Sequence, residues 1–113
     1  MVKAYIPDRG DIVMMTFNPQ AGREQAGMRP ALVLSPLFYN ERSGLMIACP
    51  ITSRKKGYPF EVLLPENLTT HGVVLADHLK SVDWHARQVR FVERASASTL
   101  QDVTGKISVL LKE

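Results

Sequence analysis

A single cysteine, Cys49, among 113 residues excludes an internal disulfide, and no group of Cys and His has zinc-finger spacing. No apolar run approaches the roughly 18 residues of a spanning helix, and Pro7 and Gly10 interrupt the amino-terminal stretch before a signal-like core forms. A soluble, cytoplasmic protein in a reducing setting, without membrane contact, is the expectation. Repeats, low-complexity tracts and charged tails are missing too. So are a P-loop, a dinucleotide fingerprint, an HExxH pair and a nucleophile elbow, which removes the common cofactor and metal enzyme classes. No metal and no cofactor are expected.

What remains is an ordinary globular composition, 45% apolar and 22% charged, of a length that suits one domain spanning 1–113. Fourteen Lys and Arg against 11 Asp and Glu leave a net charge of +3. Such a charge favours phosphate-bearing partners without proving them. Short β-prone runs succeed one another between turn residues: 12–17, 30–35, 45–51, 60–64, 73–76, 79–82 and 89–92. In the second run Ala31 and Val33 alternate with Leu32 and Leu34, so both faces read as buried and the strand as central. Residues 37–40 suggest a short helical turn. From about Ser98 the period changes, and Leu100, Val103, Ile107, Leu110 and Leu111 fall on one helical face, capped by Ser96 or Ser98. The predicted fold is mainly β, a small barrel with a C-terminal helix laid against it.

The candidate chemistry clusters at strand ends. Arg29 precedes Pro30, which biases it toward an extended backbone and gives its guanidinium a stiff base. It can pair with Glu24 or Asp11 at the surface, or its planar fork can grip a phosphate. Glu24 sits in a loop, 18–28, rich in Gly and Pro, where it is either a solvated charge or a functional carboxylate. Thr52 ends the third strand, where a threonine can bond the turn backbone or a ligand. Arg54, Lys55 and Lys56, followed by Gly57 and Tyr58, form a basic loop that also offers phosphate contacts beside an aromatic face. His71, His78 and His85 are seven residues apart, but the segment lacks helical register, so no metal site is read from them. His78 is the one to watch, since an imidazole in a groove can hydrogen-bond a base edge or move a proton.

Several segments together resemble a known family. Pro7-Asp8-Arg9-Gly10-Asp11, the run from Glu24 through Arg29-Pro30 to Pro36, Lys56-Gly57-Tyr58-Pro59-Phe60-Glu61-Val62 and Ala76-Asp77-His78-Leu79-Lys80-Ser81 are similar to the MazF/PemK toxins of bacterial toxin–antitoxin systems. The resemblance covers nearly the whole chain. It implies an SH3-like barrel of the MazF/PemK and CcdB type, a homodimer that cleaves single-stranded RNA, chiefly mRNA, at short sequences without metal. It also implies a cognate antitoxin whose acidic tail fills the RNA groove, with operator DNA bound only through the toxin–antitoxin complex. Carried over residue by residue, the catalytic set is Arg29, Thr52 and Glu24. RNA contacts are read at Phe17, which as the end of an apolar strand can equally pack into the core, and at Asn18, Arg54, Lys56, Tyr58 and His78, with Arg87 and Arg90 as further cations along the backbone. The family often has glutamine where this chain has His78, a departure that bears on the recognised bases and leaves the backbone chemistry intact.

Cleavage without metal uses the substrate's own 2′-hydroxyl, so the protein need only position it, take its proton, neutralise the phosphorane and protonate the leaving oxygen. A gyrase-binding toxin of the same barrel architecture is the alternative of a different class, because one scaffold carries unrelated functions. Such a binder does not need the Glu24, Arg29 and Thr52 set. A housekeeping adaptor barrel is a third reading.

Overall fold

The computed structural model describes residues 4–16 and 27–112. Strand β1 (Asp11–Thr16) runs antiparallel to β2 (Met28–Val33), pairing Ile12 with Leu32 and Met15 with Arg29. The chain then turns through helix α1 (Leu37–Ser43) into β3 (Leu45–Thr52), the longest strand. One edge of β3 pairs with β2. Its other edge is shared, the first half with β6 (Lys80–Asp83) and the end with β5 (Val73–Leu75). Strand β4 (Glu61–Leu63) adds to β5, and β7 (Arg90–Arg94) adds to β1. These seven strands, all paired antiparallel, and the C-terminal helix α2 (Ala97–Leu111) form the mainly β fold expected from the sequence.

The period-2 alternation of the strands separates two apolar clusters. Ile12, Leu32, Cys49, Ile51, Val62 and Val74 face one side, where α2 covers them with Val103 and Ile107. Val13, Met15, Ala31, Val33, Met46 and Ala48 face the other, against Tyr5, Trp84 and Val89. Strand β2 supplies both clusters, which is why its run reads as apolar on both faces. Burying Val103 and Ile107 stabilises the helix by about 1.5–3 kcal/mol each, enough to offset the exposed Gly105 in its middle. The Ser96 hydroxyl caps α2 by accepting the Thr99 N–H at 3.2 Å.

The last turn departs from expectation. Leu110 and Leu111 are 49% and 79% exposed, because α2 continues past the strands that bury its earlier turns. Strand β7 also lies later than the apolar run 89–92, since Glu93 and Arg94 extend it. A register shift between Ile12 and Val13 accommodates them. The helical turn at 37–40 is longer than predicted and ends at Gly44, whose φ of 75° closes α1 while its N–H reaches Asn40 O at 3.0 Å.

Two polar groups are built into this framework. Asn40 is fully buried: its amide donates to Pro7 O at 2.7 Å and Ser35 O at 3.0 Å and accepts from the Ser35 hydroxyl at 2.6 Å. Its backbone carbonyl takes the Trp84 indole N–H at 2.8 Å. Asp11, 3% exposed, accepts from the Tyr5 hydroxyl at 2.5 Å, from the Asp8 N–H at 3.1 Å and from Arg94 at 2.7 Å. Burial, followed by the adjoining Asp11 carboxylate, pushes the Tyr5 phenol above its ordinary pKa. No helix among the described residues is long and apolar enough to cross a membrane.

Candidate active site

The β2–β3 register sets the geometry of the two best-placed candidates. Ala31 pairs with Pro50 and Val33 with Ala48, and the ladder ends there, two residues short of Arg29 on β2 and of Thr52 on β3. Alternation places both on the sheet side of Val33 and Ala48, away from α2. Arg29 is exposed and Thr52 half-buried. The surface pairing of Arg29 with Asp11 does not occur: the Asp11 carboxylate is engaged by Arg94, and Arg29 lies further along the sheet, opposite Met15. Glu24, the other partner considered for Arg29, lies outside the described residues, as do Phe17 and Asn18.

Beside Thr52 the surface sinks into a small concavity of about 160 Å³, lined by Thr52, Arg54, Lys56, Tyr58, Glu61, Leu75 and His78. Thr52, Arg54, Lys56, Tyr58 and His78, singled out from the sequence, thus converge on one place although they come from two segments of chain. The Thr52 hydroxyl oxygen accepts the Arg54 N–H at 3.2 Å, the turn-bonding role open to any strand-end threonine, and its own proton remains free to donate. The Lys56 ammonium lies 5.9 Å from the Tyr58 ring centre, in cation–π range. His78 ends a 3₁₀ turn, Ala76–His78, with Nε2 3.8 Å from the Asp77 carboxylate. His71 and His85 are exposed, as expected of surface residues.

The arginines proposed to follow a nucleic-acid backbone divide. Arg87 donates to Thr16 O at 3.0 Å, which joins the loop after β6 to the end of β1, whereas Arg90 lines a separate recess with Met28, Gln88 and Val89.

Sequence reasoning missed Glu61 and Gly72. Glu61 begins β4 opposite Leu75, and its carboxylate is turned back onto the basic loop. The sole signal in the sequence was an acidic residue following that loop. Gly72, at φ 121°, lies against the backbone of Thr52, close enough that any side chain would collide with the Thr52 carbonyl.

The arrangement offers a hydroxyl donor and a basic pocket with an aromatic wall in one place, with the exposed planar cation of Arg29 on the same side of the sheet, a combination suited to a phosphodiester flanked by unpaired bases. Comparison with known proteins agrees in kind. Residues 8–111 match the profile of the family described as PemK-like, MazF-like toxin of type II toxin-antitoxin system. Endoribonuclease toxin MazF of Escherichia coli (strain K12) is 45% identical over 111 residues, covering 98% of this chain and 99% of that protein. Among solved structures, MazF of Deinococcus radiodurans is 56% identical with a TM-score of 0.87, covering 96% of this chain and 98% of that one. A MazE–MazF structure from the same organism gives 55% and 0.88, covering 95% and 97%. The profile match and an identity of 45% over almost the full length establish that the chain belongs to the family of PemK-like, MazF-like toxins of type II toxin–antitoxin systems.

Proposed function

We propose that this toxin is a sequence-specific, metal-independent endoribonuclease that cuts single-stranded mRNA in the cytoplasm. It works as a homodimer of single domains spanning 1–113, is neutralised by a cognate antitoxin, and meets operator DNA only through that complex. The observation that carries the reading is the gathering of Thr52, Arg54, Lys56, Tyr58 and His78 around one basic concavity. The name of the Escherichia coli relative, an endoribonuclease toxin, and the pairing of MazF with MazE in Deinococcus radiodurans support the activity and the partner.

In the proposed reaction the 2′-oxygen attacks the adjoining phosphorus, and the bond from phosphorus to the 5′-oxygen breaks. The proton of the 2′-hydroxyl passes to a base, for which Glu24 is the candidate. Arg29 neutralises the nonbridging oxygens as charge builds on them and donates the proton to the leaving 5′-oxygen. Thr52 donates a hydrogen bond to the same phosphate. The products are a 2′,3′-cyclic phosphate and a 5′-hydroxyl. Lys56 and Arg54 hold neighbouring phosphates, Tyr58 stacks a base, and His78 reads a base edge, with Phe17 and Asn18 completing the RNA contacts.

Incubating the purified protein with a diverse RNA pool in EDTA and mapping 5′-hydroxyl ends tests activity, metal need and target motif together. Ends clustered at one short motif are expected, and substrates with a 2′-deoxy scissile sugar should resist. Equal cutting of the deoxy substrate, or dependence on added magnesium or zinc, overturns the mechanism.

A further inference from the structure

Glu61 lines the concavity, yet among the described residues its carboxylate forms no ion pair with the cations there. Arg94 pairs with Asp11, and the His78 imidazole lies 3.8 Å from the Asp77 carboxylate and not against Glu61. Glu61 instead accepts backbone N–H groups of the basic loop, Gly57 on Oε1 at 2.9 Å and Lys56 at 3.2 Å on Oε1 and 3.1 Å on Oε2. Two successive backbone N–H groups turned toward one point form an anion-binding nest, and here the anion comes from the chain itself. Bonds from N–H to an ionised carboxylate are among the stronger hydrogen bonds available.

The same loop is held at its other end and from outside. Thr52 accepts from Arg54 N–H, and the Lys106 ammonium of α2 donates to Pro59 O at 2.6 Å. Glu61 itself is fixed by its strand, facing Leu75 across the β4–β5 ladder on the same sheet side as Thr52 opposite Val73. Its charge therefore holds the backbone of Lys56 and Gly57 while the Lys56 side chain stays over Tyr58.

We infer that Glu61 is a positioning residue for the RNA site: by gripping the Lys56 and Gly57 amides it holds the loop in the shape that presents Lys56 and Tyr58 to an incoming strand. The inference rests on the ribonuclease reading above and adds to it a role for a carboxylate that touches neither the scissile phosphate nor a base. Ordering the loop before RNA arrives lowers the entropic cost of binding, so its loss acts on affinity rather than on the chemical step.

The test uses Glu61→Ala and Glu61→Gln in the full chain, with cleavage kinetics on an RNA oligonucleotide carrying the mapped motif and amide hydrogen exchange at Lys56 and Gly57. Expected for Glu61→Ala is a KM raised about tenfold, kcat within about twofold of wild type, an unchanged pH profile and faster exchange at both amides. Glu61→Gln, which keeps a neutral acceptor, should fall between and serves as the second variant if the alanine protein is poorly folded. A fall in kcat at constant KM, tighter RNA binding by the variants, or unaltered exchange overturns the proposal. Tighter binding would mean that the carboxylate competes with phosphate for the nest. An inert wild type overturns the ribonuclease reading and the RNA role of Glu61 with it, whereas active wild type with indistinguishable variants overturns only the role of Glu61.

Discussion

Gly72→Ala isolates how tightly the end of β3 is held. At φ 121° a Cβ built on residue 72 would overlap the Thr52 carbonyl oxygen and lie 2.8 Å from its carbon and 3.0 Å from Ser53 Cα. No flexible side-chain tip can yield, because the obstacle is backbone. The substitution therefore carries two costs, roughly 1–3 kcal/mol for a non-glycine residue at such a φ and roughly 1–3 kcal/mol for forcing packed chain apart. A domain of this kind has about 5–15 kcal/mol in hand, so the variant should fold. At about 4 °C per kcal/mol its Tm should fall by about 8 °C or more. The displacement falls on Thr52, and a shift of about an ångström at a positioning group lowers turnover by roughly a hundredfold. Gly44→Ala is the control, since φ is 75° there but the added carbon meets nothing within 4 Å. It should lose only the backbone cost, about 1 kcal/mol or about 4 °C, with RNA cleavage unchanged. Thermal unfolding by circular dichroism and cleavage rates on both variants decide the matter. A Gly72→Ala protein as stable and as active as Gly44→Ala refutes the claim that the Thr52 carbonyl fixes position 72.

Arg29→Ala should abolish cleavage while thermal unfolding stays close to wild type, because the side chain is exposed; undiminished cutting by a folded variant removes Arg29 from the chemistry. His78→Gln should redistribute cleavage sites across a transcript pool more than it alters the overall rate, and an identical profile returns His78 to a surface role. Burial works against ionisation of Glu93, but hydrogen bonds from the Thr70 hydroxyl and the Thr69 and Thr70 N–H groups, with His71 nearby, hold its carboxyl below the ordinary value. Its folded pKa is thus depressed, so its stabilisation is present above about pH 4.5 and is lost as pH falls through the folded value. The Tm difference between wild type and Glu93→Gln should shrink from pH 6 to pH 3, and a constant difference contradicts the assignment. Burial, with a smaller contribution from Asp77, pushes the Cys49 thiol up to about 12, so it should resist iodoacetamide at pH 8 in the native state and react once guanidinium unfolds the chain. Equal labelling in both states would contradict that.

The legible part of this fold was the part governed by local alternation. Residues 30–35 announced a central strand because Ala31, Leu32, Val33 and Leu34 are all apolar, and all four are buried. The convergence of Thr52, Arg54, Lys56, Tyr58 and His78 also follows from sequence, given that their segments sit at strand ends and that the motifs resemble one family. Pairings set by the tertiary arrangement were not legible. Asp11 and Arg94 are 83 residues apart, and their ion pair exists only because β1 and β7 are neighbours. The same holds for Glu61: its charge reads as a solvated strand residue until the loop before it folds back. The periodicity of α2 was correct for Val103 and Ile107 and failed at Leu110 and Leu111, since a helical pattern records which residues lie on a line and not where the opposing surface stops.

Asn40 constrains any redesign of this scaffold. Its side chain satisfies two carbonyls and one hydroxyl in a volume without solvent, so the site demands a short group that both gives and takes hydrogen bonds. Aspartate would turn a second acceptor toward the carbonyls of Pro7 and Ser35, leucine would leave them orphaned, and glutamine is a methylene too long. The aliphatic positions around it tolerate a choice of residues. Position 40 has an alphabet of one letter.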